Sequence, residues 1–110
     1  MFEFIETPFF TKAALHYLSD DEYSELQTHL NAAPSSGTVV PGSGGVRKLR
    51  WAVAGRGKRG GLRVIYFVRV KREQIWLLTL YSKNVKESIP AHVLRQMRKG
   101  IEDGEDGEDD

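Results

Sequence analysis

The spacing of apolar positions changes period along the chain, and the changes mark its elements. Phe2 and Phe4 alternate with Glu3 and Glu6, which predicts a short strand. Thr7-Pro8 then predicts a helix start, because a threonine oxygen can cap the first amides and proline suits the first helical position. Phe9, Ala13 and Tyr17 share one face of that helix, with Phe10 and Ala14 beside them. Ser19-Asp20-Asp21-Glu22 has the form of a capping box and opens a second helix, whose apolar stripe is Tyr23, Leu26 and Leu30. This helix must end before Pro34. Residues 33–45, rich in Pro, Gly and Ser, predict a loop.

From Val46 the period becomes two. Leu49, Trp51 and Val53 fall on one side of a strand, Lys48 and Arg50 on the other. Ala54–Gly61 is a basic, glycine-rich turn. Leu62–Val70 and Gln74–Tyr81 predict two more strands, antiparallel neighbours. Ile89, Val93, Met97 and Ile101 mark a final helix, with Pro90 near its start and Gly100 near its end. The order β-α-α-β-β-β-α predicts an α+β domain over residues 1–101. Its small, mostly antiparallel sheet would carry the helices on one face and leave the other open and polar. Residues 102–110, EDGEDGEDD, hold no apolar side chain and predict a disordered acidic tail.

Composition alters this picture in one respect. A chain of 110 residues is expected to form one domain. With no cysteine it offers neither a disulfide scaffold nor a thiolate zinc site. No stretch has the length of a membrane span and no basic leader precedes the first apolar run, so a cytoplasmic location without a membrane partner is expected. The net charge of +1, however, conceals a partition. Residues 1–46 carry one Lys and six acids; residues 47–101 carry fifteen Lys and Arg against Glu73 and Glu87; the last nine carry seven acids and no base. A partner therefore meets a densely positive half-domain, the footprint of a polyanion binder.

Strand alternation narrows the basic half to candidates. In the last strand Trp76, Leu78 and Leu80 share a parity, and Thr79, Tyr81 and Lys83 share the other. If the first set is core, Tyr81 and Lys83 join Lys48 and Arg50 on the open face. Arg63 has two readings: it completes that surface, or it ends its strand in solvent. Arg56, Lys58 and Arg59 would rim the surface. Such a face suits RNA, with cations for phosphates and tyrosine for unstacked bases. Cleaving RNA requires a base for the 2′-hydroxyl, positive charge for the phosphorane and an acid for the leaving 5′-oxygen. His16, His29 and His92 all fall in helices and are expected to pack or face solvent. The base would then be a lysine with its pKa lowered by flanking cations, and Lys58 between Arg56 and Arg59 fits; Arg63 could hold the phosphorane charge. Gly55–Gly60 formally matches GxGxxG but precedes a strand, so it is no dinucleotide site. Tyr66 and Phe67 are expected in the core. Neither a metal nor a cofactor is implied.

Two blocks, KRGGxRxxY (Lys58 to Tyr66) and LTxYxKN (Leu78 to Asn84), with the run from Gly42 to Phe67 around the first, resemble the RelE/ParE toxin superfamily, and its HigB-type, RelE-like branch in particular. The element order agrees over Phe2 to Ile101. The resemblance implies a toxin of a type II toxin–antitoxin system: an endoribonuclease (mRNA interferase) that cuts translated mRNA in the 30S decoding site of the ribosome. It also implies a cognate helix-turn-helix antitoxin. It assigns phosphate contacts to Lys48 and Arg50, the key phosphate stabiliser to Arg63, and a basic residue after the last strand to Lys83, which becomes the candidate general acid. Lys58, Arg63 and Lys83 are thus the catalytic candidates; Lys48, Arg50, Arg56, Arg59, Tyr81 and Asn84 are the RNA-binding ones. The chain departs from the family in lacking the catalytic histidines of some HigB proteins, in having Ile89 and Pro90 where a tyrosine stands near the last helix, and in its acidic tail. The ParE branch, which inhibits gyrase, and a non-catalytic RNA-binding module are the alternatives.

Overall fold

The computed structural model describes residues 1–53, 61–84 and 88–109, with side chains described as far as residue 101. Strand β1 (Glu3–Glu6) leads into helix α1 (Pro8–Tyr17), and helix α2 (Asp20–Ala32) follows. Both helices start as the sequence predicts. The Thr7 hydroxyl accepts from the Phe10 amide at 3.1 Å. Ser19 accepts from the Glu22 amide at 3.1 Å while the Glu22 carboxylate accepts from the Ser19 amide at 2.8 Å, a closed capping box.

Strands β2 (Thr38–Val39), β3 (Arg47–Trp51), β4 (Leu62–Arg69) and β5 (Gln74–Ser82) complete the sheet, and helix α3 (Ala91–Asp109) ends the chain. Among the described residues the sheet has five strands in the order β1-β5-β4-β3-β2. Only β1 runs parallel to its neighbour, β5; the other pairings are antiparallel. The two-residue β2 lies inside the segment predicted to be loop. Its turn to β3 is closed by buried Ser43, whose hydroxyl donates to the Val40 carbonyl at 2.6 Å and accepts from the Val46 amide at 3.0 Å.

The helices do not share one face. Phe10 and Ala14 of α1 and Leu26 and Leu30 of α2 pack against one side of the sheet, around Val64, Tyr66 and Leu77. Leu94 and Ile101 of α3 pack against the opposite side, with Ile65, Leu78 and Tyr81. The one-face expectation fails because β4 is apolar on both parities, so both faces need covering. The backbone of α3 continues through Asp109, into the acidic segment for which the sequence predicts disorder. Ile101 is the last of its described side chains and is buried.

The parity argument for β5 also needs correction. Ile65 pairs with Thr79 but Tyr66 pairs with Leu77, so Leu78 is an extra residue in the ladder. This bulge splits the predicted set: Leu80 joins Leu77 in the α1/α2 core, whereas Trp76 and Leu78 turn toward α3.

Buried and exposed leucines should differ in what their truncation costs. Leu94→Ala should lower the unfolding free energy by about 2–5 kcal/mol, as for other buried leucines. Leu15→Ala, at a position 82% exposed, should leave it within about 0.5 kcal/mol. Urea denaturation followed by circular dichroism measures both.

Candidate nucleic-acid interface

Helix α3 packs on Val46, Ile65, Leu78 and Tyr81 of its face of the sheet, and none of its described side chains lines the neighbouring basic concavity. In the β3–β4 ladder Arg50 lies directly opposite Arg63, and Lys48 opposite Ile65. Alternation puts all three cations on the face that α3 shares. They line a concavity of about 460 Å³ together with Ser36, Thr38, Leu49 and Lys83. Lys83 arrives from the end of β5, where its amide reaches the Gly61 carbonyl at 3.5 Å. Arg50 and Lys83 are exposed and Lys48 is half-buried. Arg63 is only 8% exposed. Thus four cations converge, and no carboxylate is among the described residues that line the concavity. Like charges directly opposite across two strands are destabilising, and a bound polyanion would relieve them. Of the two readings of Arg63, the buried one on the shared surface holds.

The wall of this concavity is a braced loop. Tyr66, fully buried in β4, reaches across the core: its hydroxyl accepts from the Gly37 amide at 2.9 Å and donates to the Pro34 carbonyl at 2.8 Å. The Arg47 guanidinium donates to the Gly37 carbonyl at 2.7 Å and to the Ser35 carbonyl at 3.2 Å. Position 37 requires glycine, since a Cβ there would lie 2.9 Å from the Tyr66 ring and hydroxyl and 3.1 Å from the Lys48 carbonyl. The brace fixes both neighbours of Ser36. Nothing in the strand pattern signals it, because a buried tyrosine reads simply as core.

Tyr81 lies on the expected face, opposite Arg63 in the β4–β5 ladder. It is not an open stacking platform, however. It sits 6% exposed in the α3 core and borders a separate apolar concavity of about 620 Å³ between α1 and α3, with Phe9, Tyr17 and Met97. Its buried hydroxyl has no hydrogen-bond partner among the described residues. Burial pushes this phenol above the ordinary tyrosine range, against the nearby Arg63 guanidinium, which pulls it down. Asn84 is exposed, and its amide donates to the Ser82 hydroxyl at 3.2 Å; it does not border the basic concavity. Arg56, Lys58 and Arg59 lie outside the described residues. Tyr66 is core as expected, and Phe67 is half-buried with the Arg98 guanidinium 4.8 Å over its ring. Of the histidines, His16 and His92 are exposed, but His29 of α2 stands beside the braced loop, its Nε2 3.0 Å from the Ser36 hydroxyl.

No group of three or more His, Cys, Asp or Glu among the described residues could hold a metal ion, and no helix there is long and apolar enough to cross a membrane.

No family model matches the chain. Among solved structures, a chain of the intact E. coli RelBE toxin–antitoxin complex superposes with a TM-score of 0.55 at 10% identity, over 74% of this chain and 96% of that one. A mutant of the E. coli toxin RelE in the free state superposes with a TM-score of 0.53 at 13% identity, over 88% of this chain and 96% of that one. The fold is therefore RelE-like.

The two tyrosines should respond oppositely to loss of their hydroxyls. Tyr66→Phe leaves an amide and a carbonyl of the loop without partners and should cost about 1–3 kcal/mol. Tyr81→Phe removes a buried hydroxyl that has no partner among the described residues and should be neutral or stabilising by up to about 1 kcal/mol. Paired urea melts decide, and a loss at Tyr81 as large as at Tyr66 would show that its hydroxyl has a partner.

Proposed function

We propose that the chain is the toxin of a toxin–antitoxin pair and acts as a ribosome-dependent endoribonuclease. The observation that carries the reading is the four-cation concavity, without a carboxylate among its described lining residues, on a RelE-like sheet. A single strand of RNA supplies what that surface is suited to: closely spaced phosphates without a duplex partner. Lys48 and Arg50 hold flanking phosphates as point charge and planar fork. Arg63, largely shielded from water, faces the scissile phosphorus, where its charge acts in a lower dielectric than at the surface.

The reaction is attack of a ribose 2′-oxygen on the adjacent phosphorus. A base takes the 2′-hydroxyl proton, the phosphorane forms with its added charge near Arg63, and the bond to the 5′-oxygen breaks as an acid protonates it. The products are a 2′,3′-cyclic phosphate and a free 5′-hydroxyl. Lys83, which lines the concavity, is the proposed acid, and Lys58, outside the described residues, remains the proposed base. Ribosomal RNA and the decoding site would complete substrate positioning, which fits an active surface that is charged but shallow. The partner is a cognate antitoxin, since a structural neighbour comes from a RelBE toxin–antitoxin complex, and a helix-turn-helix protein is the proposed class. The HigB-type assignment rests on the two sequence blocks. Activity in the cytoplasm follows from the ribosomal substrate.

Expression of the wild type should stop amino-acid incorporation before thymidine incorporation and leave new 5′ ends on ribosome-bound mRNA. Replication stopping first would support a gyrase poison instead; RNA binding without cut ends would leave a binding module. Arg63→Ala should lower cleavage about 10²–10³-fold, the usual loss for a removed oxyanion stabiliser. Because Arg63 is buried, the exposed Lys83→Ala and half-buried Lys48→Ala variants serve as companions and should each reduce cleavage while keeping the wild-type melt. Oligonucleotide affinity should also fall with salt, with a log–log slope of roughly −3 for about four phosphate contacts on a single strand.

A further inference from the structure

One polar pair at the basic concavity has no role in the chemistry above. Ser36 lines the concavity, and its hydroxyl oxygen lies 3.0 Å from Nε2 of His29. The imidazole is half-buried and rests against Trp51 of β3, ring centres 5.2 Å apart. Ser36 itself cannot swing away freely, since Tyr66 and Arg47 hold Pro34, Ser35 and Gly37 on either side of it. The hydroxyl is thereby kept between an imidazole and an anion site.

A serine hydroxyl has one proton to give. When a neutral imidazole presents its bare nitrogen to Ser36, that proton is drawn to the ring and the oxygen turns only lone pairs to the concavity. A protonated imidazole donates from both nitrogens, so the Ser36 oxygen must accept. Its proton is then available to a phosphate oxygen, which can only accept. We propose that His29 is a positioning residue for the anion site, acting through the Ser36 hydroxyl so that RNA phosphates bind more tightly when the imidazole is charged. The proposal rests on the reading of the concavity as an RNA site.

Among the described residues, the charged groups around the pair are Lys48, Arg50, Arg63 and Lys83 across the concavity, Arg47 of β3 on the carbonyls beside Ser36, and Glu25 one turn earlier on α2. Lysine, arginine and glutamate ordinarily keep one charge state between about pH 5 and 8, whereas histidine changes its own there. The other two histidines, His16 and His92, do not line the concavity and are left unchanged in the test.

The experiment measures affinity for a fluorescent 2′-O-methyl oligoribonucleotide, which cannot be cleaved, at about pH 8 and about pH 5.5. It compares the full-length wild type with Ser36→Ala and His29→Phe, the latter keeping a ring against Trp51. The readout is the ratio of the two affinities, and melts at both pH values confirm folding. Both variants should lower that ratio about fivefold relative to the wild type, the worth of one hydrogen bond. Loss of the ratio in His29→Phe but not in Ser36→Ala would mean a through-space charge effect and overturn the proposal, as would an unchanged ratio in both. A wild type whose affinity does not depend on Lys48 and Arg50, tested by Lys48→Ala and Arg50→Ala at about pH 8, would overturn the RNA reading of the concavity and this proposal with it. Dependence on those cations, with a ratio indifferent to Ser36, would overturn the proposal alone.

Discussion

Strand β4 is apolar toward both faces of the sheet, and the rest of the molecule is arranged to cover it. Val64 and Tyr66 need α1 and α2, whereas Ile65 and Phe67 need α3. A sheet with one wet face cannot satisfy such a strand. The bulge at Leu78 answers the same demand from the neighbouring strand, since it lets β5 give Leu77 and Leu80 to one core and Leu78 and Tyr81 to the other. The basic concavity lies on that second face, beside the residues that α3 packs against. The position of the concavity is therefore a consequence of packing rather than a separate invention.

Arg63 stands at the boundary of these two regimes. It belongs by sequence to an apolar strand and by side chain to the cation cluster. Its shielding raises the strength of its field at a bound phosphate, and the same shielding makes it the member of the cluster whose loss most perturbs the fold. Lys48, Arg50 and Lys83 are more exposed, so their contribution is screened by water and salt. Under the proposed function, a buried arginine among more exposed cations would separate two tasks that a uniform basic patch mixes: stabilising one phosphorus and attracting a strand.

Much of this was legible in the sequence. The caps at Thr7 and Ser19 are local chemistry, and local chemistry survives folding. The alternation of Lys48, Leu49 and Arg50 was sound because β3 is regular over those residues. Alternation misled in β5, where one inserted residue resets the period and no residue type announces it. The face chosen by α3 was also hidden, because an amphipathic stripe says that a helix packs and not upon which side. His29 was set aside for sitting on a helix remote in sequence from the basic half. Contact between α2 and the braced loop is a tertiary fact, and so is the reach of Tyr66 to Gly37.

Strand β2 pairs with Arg47 and Lys48 and goes no further, which leaves the outer margin of β3 from Leu49 to Trp51 unpaired by it. An unpaired margin invites a strand from another molecule, and proteins commonly discourage that with charge. Arg50 stands on this stretch and Lys48 at its start. Charge at Lys48 and Arg50 would discourage such pairing, in addition to the part those side chains play in the concavity. Neutralising them would take that charge off the margin, so the concavity and the protection of this edge depend on the same side chains.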